Sequence, residues 1–153
     1  MCSFEGKTNF TLVDVIVWKK NTSIPFQTSP NRLSRICEFI FIFTKKENVK
    51  NFMCNKKITK INDKTKQKFY ENKTNFIEAR NNDRIKTKHK ATYSTELCDK
   101  LIDLYFKKGH TVYDPFMGTG TTALACLNNE INYIGSEIMK EFYEIAIKRI
   151  INL

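Results

Sequence analysis

The chain has 153 residues, enough for one domain core but not for two large ones, and is 41% hydrophobic and 27% charged, a composition of folded rather than disordered proteins. Its longest strongly apolar run, Ile36 to Phe43, contains Glu38 and falls far short of the roughly 20 residues of a membrane span. Met1 to Glu5 show no basic-then-apolar leader, so a membrane protein and a secreted one are both excluded as expectations and a cytoplasmic location is expected.

The net charge of +10 is unevenly placed. Residues 1–43 carry 5 basic and 3 acidic side chains, residues 44–90 carry 15 and 5, and residues 91–153 carry 6 and 8. The excess lies in the middle, where a local positive field attracts polyanions. The five cysteines, Cys2, Cys37, Cys54, Cys98 and Cys126, are odd in number and form no C-x-x-C pair. Neither a disulfide framework nor a zinc site is expected, and His89 and His110 lack ligand spacing, so no metal is assigned.

In chain order, Leu12 to Trp18 and Cys37 to Phe43 are rich in β-branched and aromatic residues and read as two strands. The stretch between them holds Pro25, Pro30 and Asn31 and reads as a loop. Residues 45–88 are Lys- and Asn-rich with scattered Phe52, Ile58, Phe69 and Phe76, and read as a surface excursion with one or two short helices and no core of its own. Ser94 and Thr95 can cap a helix carrying Leu97, Leu101, Leu104 and Tyr105 at helical spacing, with Lys107 and Lys108 in its last turn and Gly109 beyond it. A short buried strand Thr111–Tyr113 follows, then a glycine turn, a helix over Thr121–Leu127, a strand Asn132–Glu137, and a closing helix Ile138–Ile150 with Phe142, Ile145, Ala146 and Ile150 toward the core. That order implies parallel strands joined by right-handed crossovers.

The turn, Asp114-Pro115-Phe116-Met117-Gly118-Thr119-Gly120-Thr121-Thr122, lies where a strand ends and a helix begins, so free backbone N–H groups face a ligand. Glu137 ends the next strand 17 residues after Gly120 and can accept both hydroxyl protons of a ribose. An adenosine-containing cofactor follows. Gly118, Gly120 and Ala123 satisfy the dinucleotide fingerprint, whereas no Gly-Lys-Ser/Thr is present for a phosphate loop. Asp114 would repel a pyrophosphate but suits the ammonium and sulfonium of S-adenosylmethionine, which favours the latter over a nicotinamide-dependent oxidoreductase.

These residues resemble the cofactor motif of DNA methyltransferases that modify exocyclic amino groups, at adenine N6 or cytosine N4. His89-Lys90-Ala91-Thr92-Tyr93-Ser94-Thr95-Glu96-Leu97 is similar to the family's His-Pro-Ala-Thr-Phe-Pro-x-x-Leu motif beside the methionine end of the cofactor, with Lys90 and Ser94 at two proline positions. Tyr133 to Glu137 resembles its ribose-binding strand, and Asp14 to Lys20 with Glu38 to Phe41 resembles its strand pair after the catalytic strands. The order matches the permuted subgroup, with the catalytic motif ahead of the cofactor motif. The resemblance implies cofactor contacts at Thr92, Tyr93, Asp114, Pro115, Phe116, Gly118, Gly120, Thr121, Thr122 and Glu137. It implies double-stranded DNA as partner, with contacts at Lys19, Lys20, Arg32, Lys56, Lys57 and Lys60, and a role in DNA methylation within restriction–modification, with adenine N6 as the expected target.

The family's catalytic signature, Asp, Asn or Ser followed by Pro-Pro and an aromatic residue, is absent from the sequence. In that family it accepts hydrogen bonds from the target amino group and stacks on the flipped base, so no catalytic residue is assigned here. The expectation is a partial α/β, Rossmann-like, S-adenosylmethionine-dependent methyltransferase fold over residues 1–153. It comprises a strand pair at 1–44, a basic target-recognition-like insertion at 45–88 and a cofactor-binding half at 89–153. Its sheet is mostly parallel, the central catalytic strands are missing, and the Tyr113 and Ile36–Phe43 strands are open edges. Alone the chain is expected to be inactive and to need a separate polypeptide carrying the Pro-Pro-aromatic motif; the alternative is a non-enzymatic truncated remnant or DNA-binding module.

Overall fold

The computed structural model describes residues 8–24, 30–85 and 92–152, so the readings at Met1–Glu5, Pro25 and His89–Ala91 lie outside the described residues. β1 (Phe10–Ile24) and β2 (Arg35–Lys45) form a long antiparallel pair in which Val15 faces Phe41, Ile16 faces Ile40 and Val17 faces Phe39. A register shift between Leu12 and Asp14 marks a bulge. Side chains alternate across a strand, so Ile16 and Trp18 are buried with Ile40 and Ile42 packed against them, while Phe39, Phe41 and Phe43 stay exposed on the other face.

The middle section, expected to hold one or two short helices, also carries strands. It contains one 3-10 helix, Lys46–Asn51, and three short strands, β3 (Ile58–Ile61), β4 (Lys68–Tyr70) and β5 (Phe76–Ala79). β3 and β4 form a hairpin, and β5 returns to pair in parallel with β1, setting Trp18 beside Ile77. In β5 the residues alternate exposed and buried, so Ile77 and Ala79 join the core around Ile16, Trp18 and Leu97. The Trp18 indole N–H donates to the Ala79 carbonyl at 3.1 Å, satisfying a buried donor across the sheet.

The last third follows the sequence closely. Ser94 caps α1 (Thr95–Tyr105), its hydroxyl accepting from the Leu97 N–H at 3.3 Å and donating to the Arg80 carbonyl at 2.8 Å. The helix ends at Phe106, earlier than Lys107 and Lys108 suggested; Gly109, at φ +91°, serves the turn that follows, where the His110 N–H bonds the Lys107 carbonyl. β6 (Thr111–Asp114) and β7 (Asn132–Gly135) are parallel, with α2 (Thr121–Asn128) between them, and α3 (Lys140–Ile151) closes the chain. Of the residues assigned to the inner face of α3, Ala146 is fully buried and Phe142, Ile145 and Ile150 are half-buried.

α1 lies between two apolar clusters. Leu97, Leu101 and Leu104 join Ile16, Trp18 and Ile77, while Cys98 and Ile102 join Ala125, Cys126 and Ile131. Each fully buried aliphatic side chain contributes about 1.5–3 kcal/mol, so one helix carries a share of both cores. The β-structure is mixed: among the described residues, parallel pairing is confined to β1–β5 and β6–β7. Among the described residues β2 pairs only with β1, and β6 only with β7, leaving each with an open edge. Tyr113, expected in a buried strand, is therefore 64% exposed, because nothing described covers that face of β6.

Candidate functional site

The C-terminal ends of β6 and β7 meet at the glycine turn. Asp114 pairs in register with Gly135, its Oδ1 accepts from the Phe116 N–H at 3.0 Å, and its Oδ2 lies 3.5 Å from the Tyr133 hydroxyl. Burial, reinforced by the Asp114 charge, pushes the Tyr133 hydroxyl well above the usual tyrosine range and keeps it a neutral donor. The turn is pinned by backbone bonds, Met117 N–H to Ser136 O at 2.9 Å and Gly120 N–H to Met117 O at 3.0 Å. Gly118 and Gly120 adopt φ +55° and +80°, which side-chain-bearing residues avoid.

Glu137 closes the other side. Its Oε2 accepts from the Gly118 N–H and its Oε1 from the Met139 N–H, both at 2.8 Å. The carboxylate thus fixes the turn and the entry to α3 together. Two carboxylates at adjacent strand ends flank this turn, and residues 111–139 contain no Lys or Arg. Such a pair of acceptors can bind hydroxyl protons and cationic groups; it is repulsive to a pyrophosphate. The residues fit the chemistry of a sulfonium nucleoside and not that of a dinucleotide phosphate.

Below the turn, the Tyr93 hydroxyl shares a 2.7 Å hydrogen bond with the Thr122 hydroxyl at the start of α2. Burial pushes the Tyr93 hydroxyl up to about 12. Thr92 precedes Tyr93 and is half-buried; Pro115 and Phe116 cross the mouth, with Phe116 86% exposed, and Thr121 is buried under the turn. Tyr93 and Thr122 also line a cavity of about 350 Å³ whose walls include Trp18, Glu38, Ile40, Leu101 and Val112.

Two residues at the site escaped the sequence reading. Ile138, next to Glu137, is 96% exposed, an apolar side chain standing free at the mouth; its position directly after the strand-terminal acid was the available signal. Arg149 reaches from α3 to donate to the Thr119 carbonyl at 2.5 Å, while its second nitrogen lies 3.6 Å from Asp83. Asp83 in turn accepts from the Thr95 N–H, so one ion pair ties the glycine turn to the start of α1. Nothing in the local sequence announces that pairing.

The lysines separate into two groups. Lys20 is buried, paired with Glu38 and 5.2 Å from the centre of the Trp18 ring, and Lys19 is paired with Glu78 across the β1–β5 pairing. Of the lysines expected at DNA, Lys20 therefore has its ammonium held by Glu38 rather than standing free. Arg32, Lys56, Lys57 and Lys60 are exposed.

Strand, glycine turn, helix and acid-ended parallel strand define an α/β protein of the Rossmann-like methyltransferase class, and the comparisons agree. A family profile described as DNA methylase, for the N6 and N4 enzymes, matches residues 1–148. The orphan methyltransferase M.BamHII of Bacillus amyloliquefaciens is 32% identical over 171 aligned residues, spanning 94% of this chain and 63% of its own length. The type II methyltransferase M.Cfr9I of Citrobacter freundii is 31% identical over 140 residues, spanning 88% of this chain and 43% of its own. The crystal structure of the M1.HpyAVI–SAM complex superposes with a TM-score of 0.63 at 33% identity, over 92% of this chain and 63% of that one. The PvuII DNA methyltransferase, cytosine-N4-specific, shares the fold with a TM-score of 0.68 at 18% identity, over 92% of this chain and 51% of its own. The chain belongs to the DNA methylase family, and it spans between 43% and 63% of the length of these relatives.

Proposed function

We propose that this chain supplies the cofactor-binding and DNA-contacting parts of an S-adenosylmethionine-dependent DNA methyltransferase that modifies an exocyclic amino group, adenine N6 in the first instance. The observation that carries the reading is the pair of carboxylates, Asp114 and Glu137, at the ends of adjacent parallel strands around the Gly118 turn. Asp114 holds the ammonium end and Glu137 the ribose. Phe116 and Ile138 offer apolar surface to the adenine, and Tyr93 with Thr92 packs beside the methionine end. Pro115, Gly120, Thr121 and Thr122 shape the backbone between them. S-adenosylmethionine supplies an electrophilic methyl group; the chain's own residues position it and exclude water.

The sequence contains no Asp, Asn or Ser followed by Pro-Pro and an aromatic residue, so the groups that hold an acceptor base lie outside these 153 residues. The open edges of β2 and β6, with the apolar cavity between their sheets, support that second part of the reading. Calorimetric titration with S-adenosylmethionine and with NAD tests the site: binding of the first and not the second is expected, and tighter NAD binding refutes it. Methyl transfer to mixed DNA, with and without a polypeptide carrying the missing motif, tests the division of labour. Activity from this chain alone contradicts it, and nucleoside mass spectrometry separates N6-methyladenine from N4-methylcytosine.

A further inference from the structure

The segment that leaves β5, residues 80–83, is knotted to the start of α1. The Ser94 hydroxyl donates to the Arg80 carbonyl, and the Arg80 N–H and Nε both donate to Glu96 Oε2 at 3.2 Å. The Asp83 carboxylate accepts from the Thr95 N–H through both oxygens, at 3.1 and 3.0 Å, and from the Thr95 hydroxyl at 3.2 Å. Asp83 thus satisfies a donor at the start of a helix, where N–H groups lack intrahelical partners. Its charge is matched by Arg149 Nη2 at 3.6 Å. The two side chains are only 15% and 18% exposed, so salt screens the pair little.

Arg149 carries that anchor to the back of the glycine turn. Ala146, three residues earlier on the same face of α3, lies against Gly120, where an added Cβ would come within 2.9 Å of it. Arg149 Nη1 donates to the Thr119 carbonyl at 2.5 Å and reaches the Thr119 and Thr121 hydroxyls at 3.3 and 3.4 Å. A trans peptide points its C=O and N–H in opposite directions. In the Thr119–Gly120 peptide the C=O goes to Arg149 and the N–H to the Met117 carbonyl, so the peptide plane is fixed from both sides. The N–H groups of Thr121 and Thr122, which open α2 without intrahelical partners, take their direction from that plane. Gly120, at φ +80°, has no side chain to resist rotation, so the hold on the Thr119 carbonyl selects the orientation.

We propose that Arg149 is a positioning residue for the cofactor, set in place by Asp83. The pair holds the glycine turn in its ligand-binding shape from the α3 side and ties that shape to the segment leaving β5. The proposal rests on the S-adenosylmethionine reading of the turn. Arg149 acts through the Thr119 peptide and not by touching the ligand. As a unit the pair is neutral, so its effect is geometric, and ligands with and without a sulfonium charge depend on it equally. The planar fork of a guanidinium spans the carbonyl and the carboxylate at once, which an ammonium does not.

The test is calorimetric titration with S-adenosylmethionine and with S-adenosylhomocysteine, whose sulfur is uncharged. The proteins are the wild-type chain, the charge-neutral Asp83→Asn/Arg149→Met variant and Arg149→Lys. Gly109→Ala, altered at the opposite end of β6, controls for lost stability alone. All are titrated without denaturant where far-UV circular dichroism shows them folded, so that affinity reports on the site. The double variant is expected to bind both ligands at least about 10-fold more weakly, equivalent to about 1.4 kcal/mol. Arg149→Lys is expected to stay weak despite its charge, and Gly109→Ala to bind as the wild type does. A double variant within about twofold of the wild type, or a loss matched by Gly109→Ala, overturns the positioning role. Full recovery in Arg149→Lys, or a loss confined to S-adenosylmethionine, assigns the effect to charge and overturns it as well. If the double variant does not fold, Arg149→Lys decides alone, weak binding supporting the role and wild-type binding overturning it. A wild-type protein that binds neither ligand overturns the cofactor reading together with this proposal.

Discussion

Gly120→Ala measures how tightly the glycine turn is pressed against α3. Gly120 caps α2 at φ +80°, and a Cβ added there would lie 2.9 Å from the Ala146 Cβ and 3.2 Å from its Cα. Ala146 is fully buried, and its backbone cannot retreat without moving the helix. The left-handed conformation costs an L-residue about 1–2 kcal/mol, and overpacking a filled site adds about 1–3 kcal/mol. The expected loss is about 2–5 kcal/mol, a large fraction of the roughly 5–15 kcal/mol that stabilises a typical domain. Gly109→Ala is the control, because Gly109 also has positive φ, at +91°, yet meets nothing within 4 Å. It carries the conformational cost alone, about 1–2 kcal/mol. Urea unfolding followed by far-UV circular dichroism on the wild type and both variants gives the comparison. If Gly120→Ala is no more destabilising than Gly109→Ala, the close approach of turn and helix is refuted.

Asp114→Ala and Glu137→Ala are each expected to weaken S-adenosylmethionine binding by about 1.5–3 kcal/mol, the usual value of a hydrogen bond to a charged group; unchanged calorimetric affinity in both would remove the site. Arg149→Met should lower stability by about 1.5–3 kcal/mol by removing the bond to the Thr119 carbonyl. Asp83→Asn should cost less in that background than in the wild type, since the two residues share one ion pair; strictly additive urea midpoints would contradict the coupling. Stability should also fall in alkali. Burial pushes the Cys98 thiol up to about 12, the Cys126 thiol to about 11 and the Tyr93 hydroxyl to about 12, from ordinary values of 9.0, 9.0 and 10.0. The unfolded chain releases these protons first, so the protein is fully stabilised below about pH 9 and loses stability as pH rises toward 12. Urea midpoints measured from about pH 8 to 11 should decline; in a Cys2→Ser/Cys37→Ser/Cys54→Ser background, which leaves only the two buried thiols, thiolate absorbance should appear only on unfolding, and its rise near pH 9 in that folded variant would contradict the burial.

What the sequence made visible was whatever is specified locally. The Ser94 cap, the helical spacing of Leu97, Leu101 and Leu104, and the strand–turn–helix order around Gly118 all emerge as read. β3, β4 and β5 did not, because strands of three or four residues give too few alternations to distinguish from polar loop. The burial of Lys20 was hidden for a different reason. It depends on Glu38 lying across the β1–β2 ladder, a partner 18 residues away that only the register identifies. Arg149 and Asp83 are likewise brought to the turn by tertiary packing, and no spacing rule connects them. At the candidate site, the acids and glycines were legible because turn chemistry is local. The exposure of Tyr113 was not, because it depends on which strands lie beside it.

The sharing of α1 between two apolar clusters has a thermodynamic consequence. Tyr93 touches both, so neither half can lose its packing while the other keeps its full set of neighbours. Melting is then a single cooperative event. Trp18, the sole indole in the chain, reports on the β1 side through its fluorescence, yet that signal should vanish at the same midpoint as the capacity of the distant glycine turn to take up a ligand.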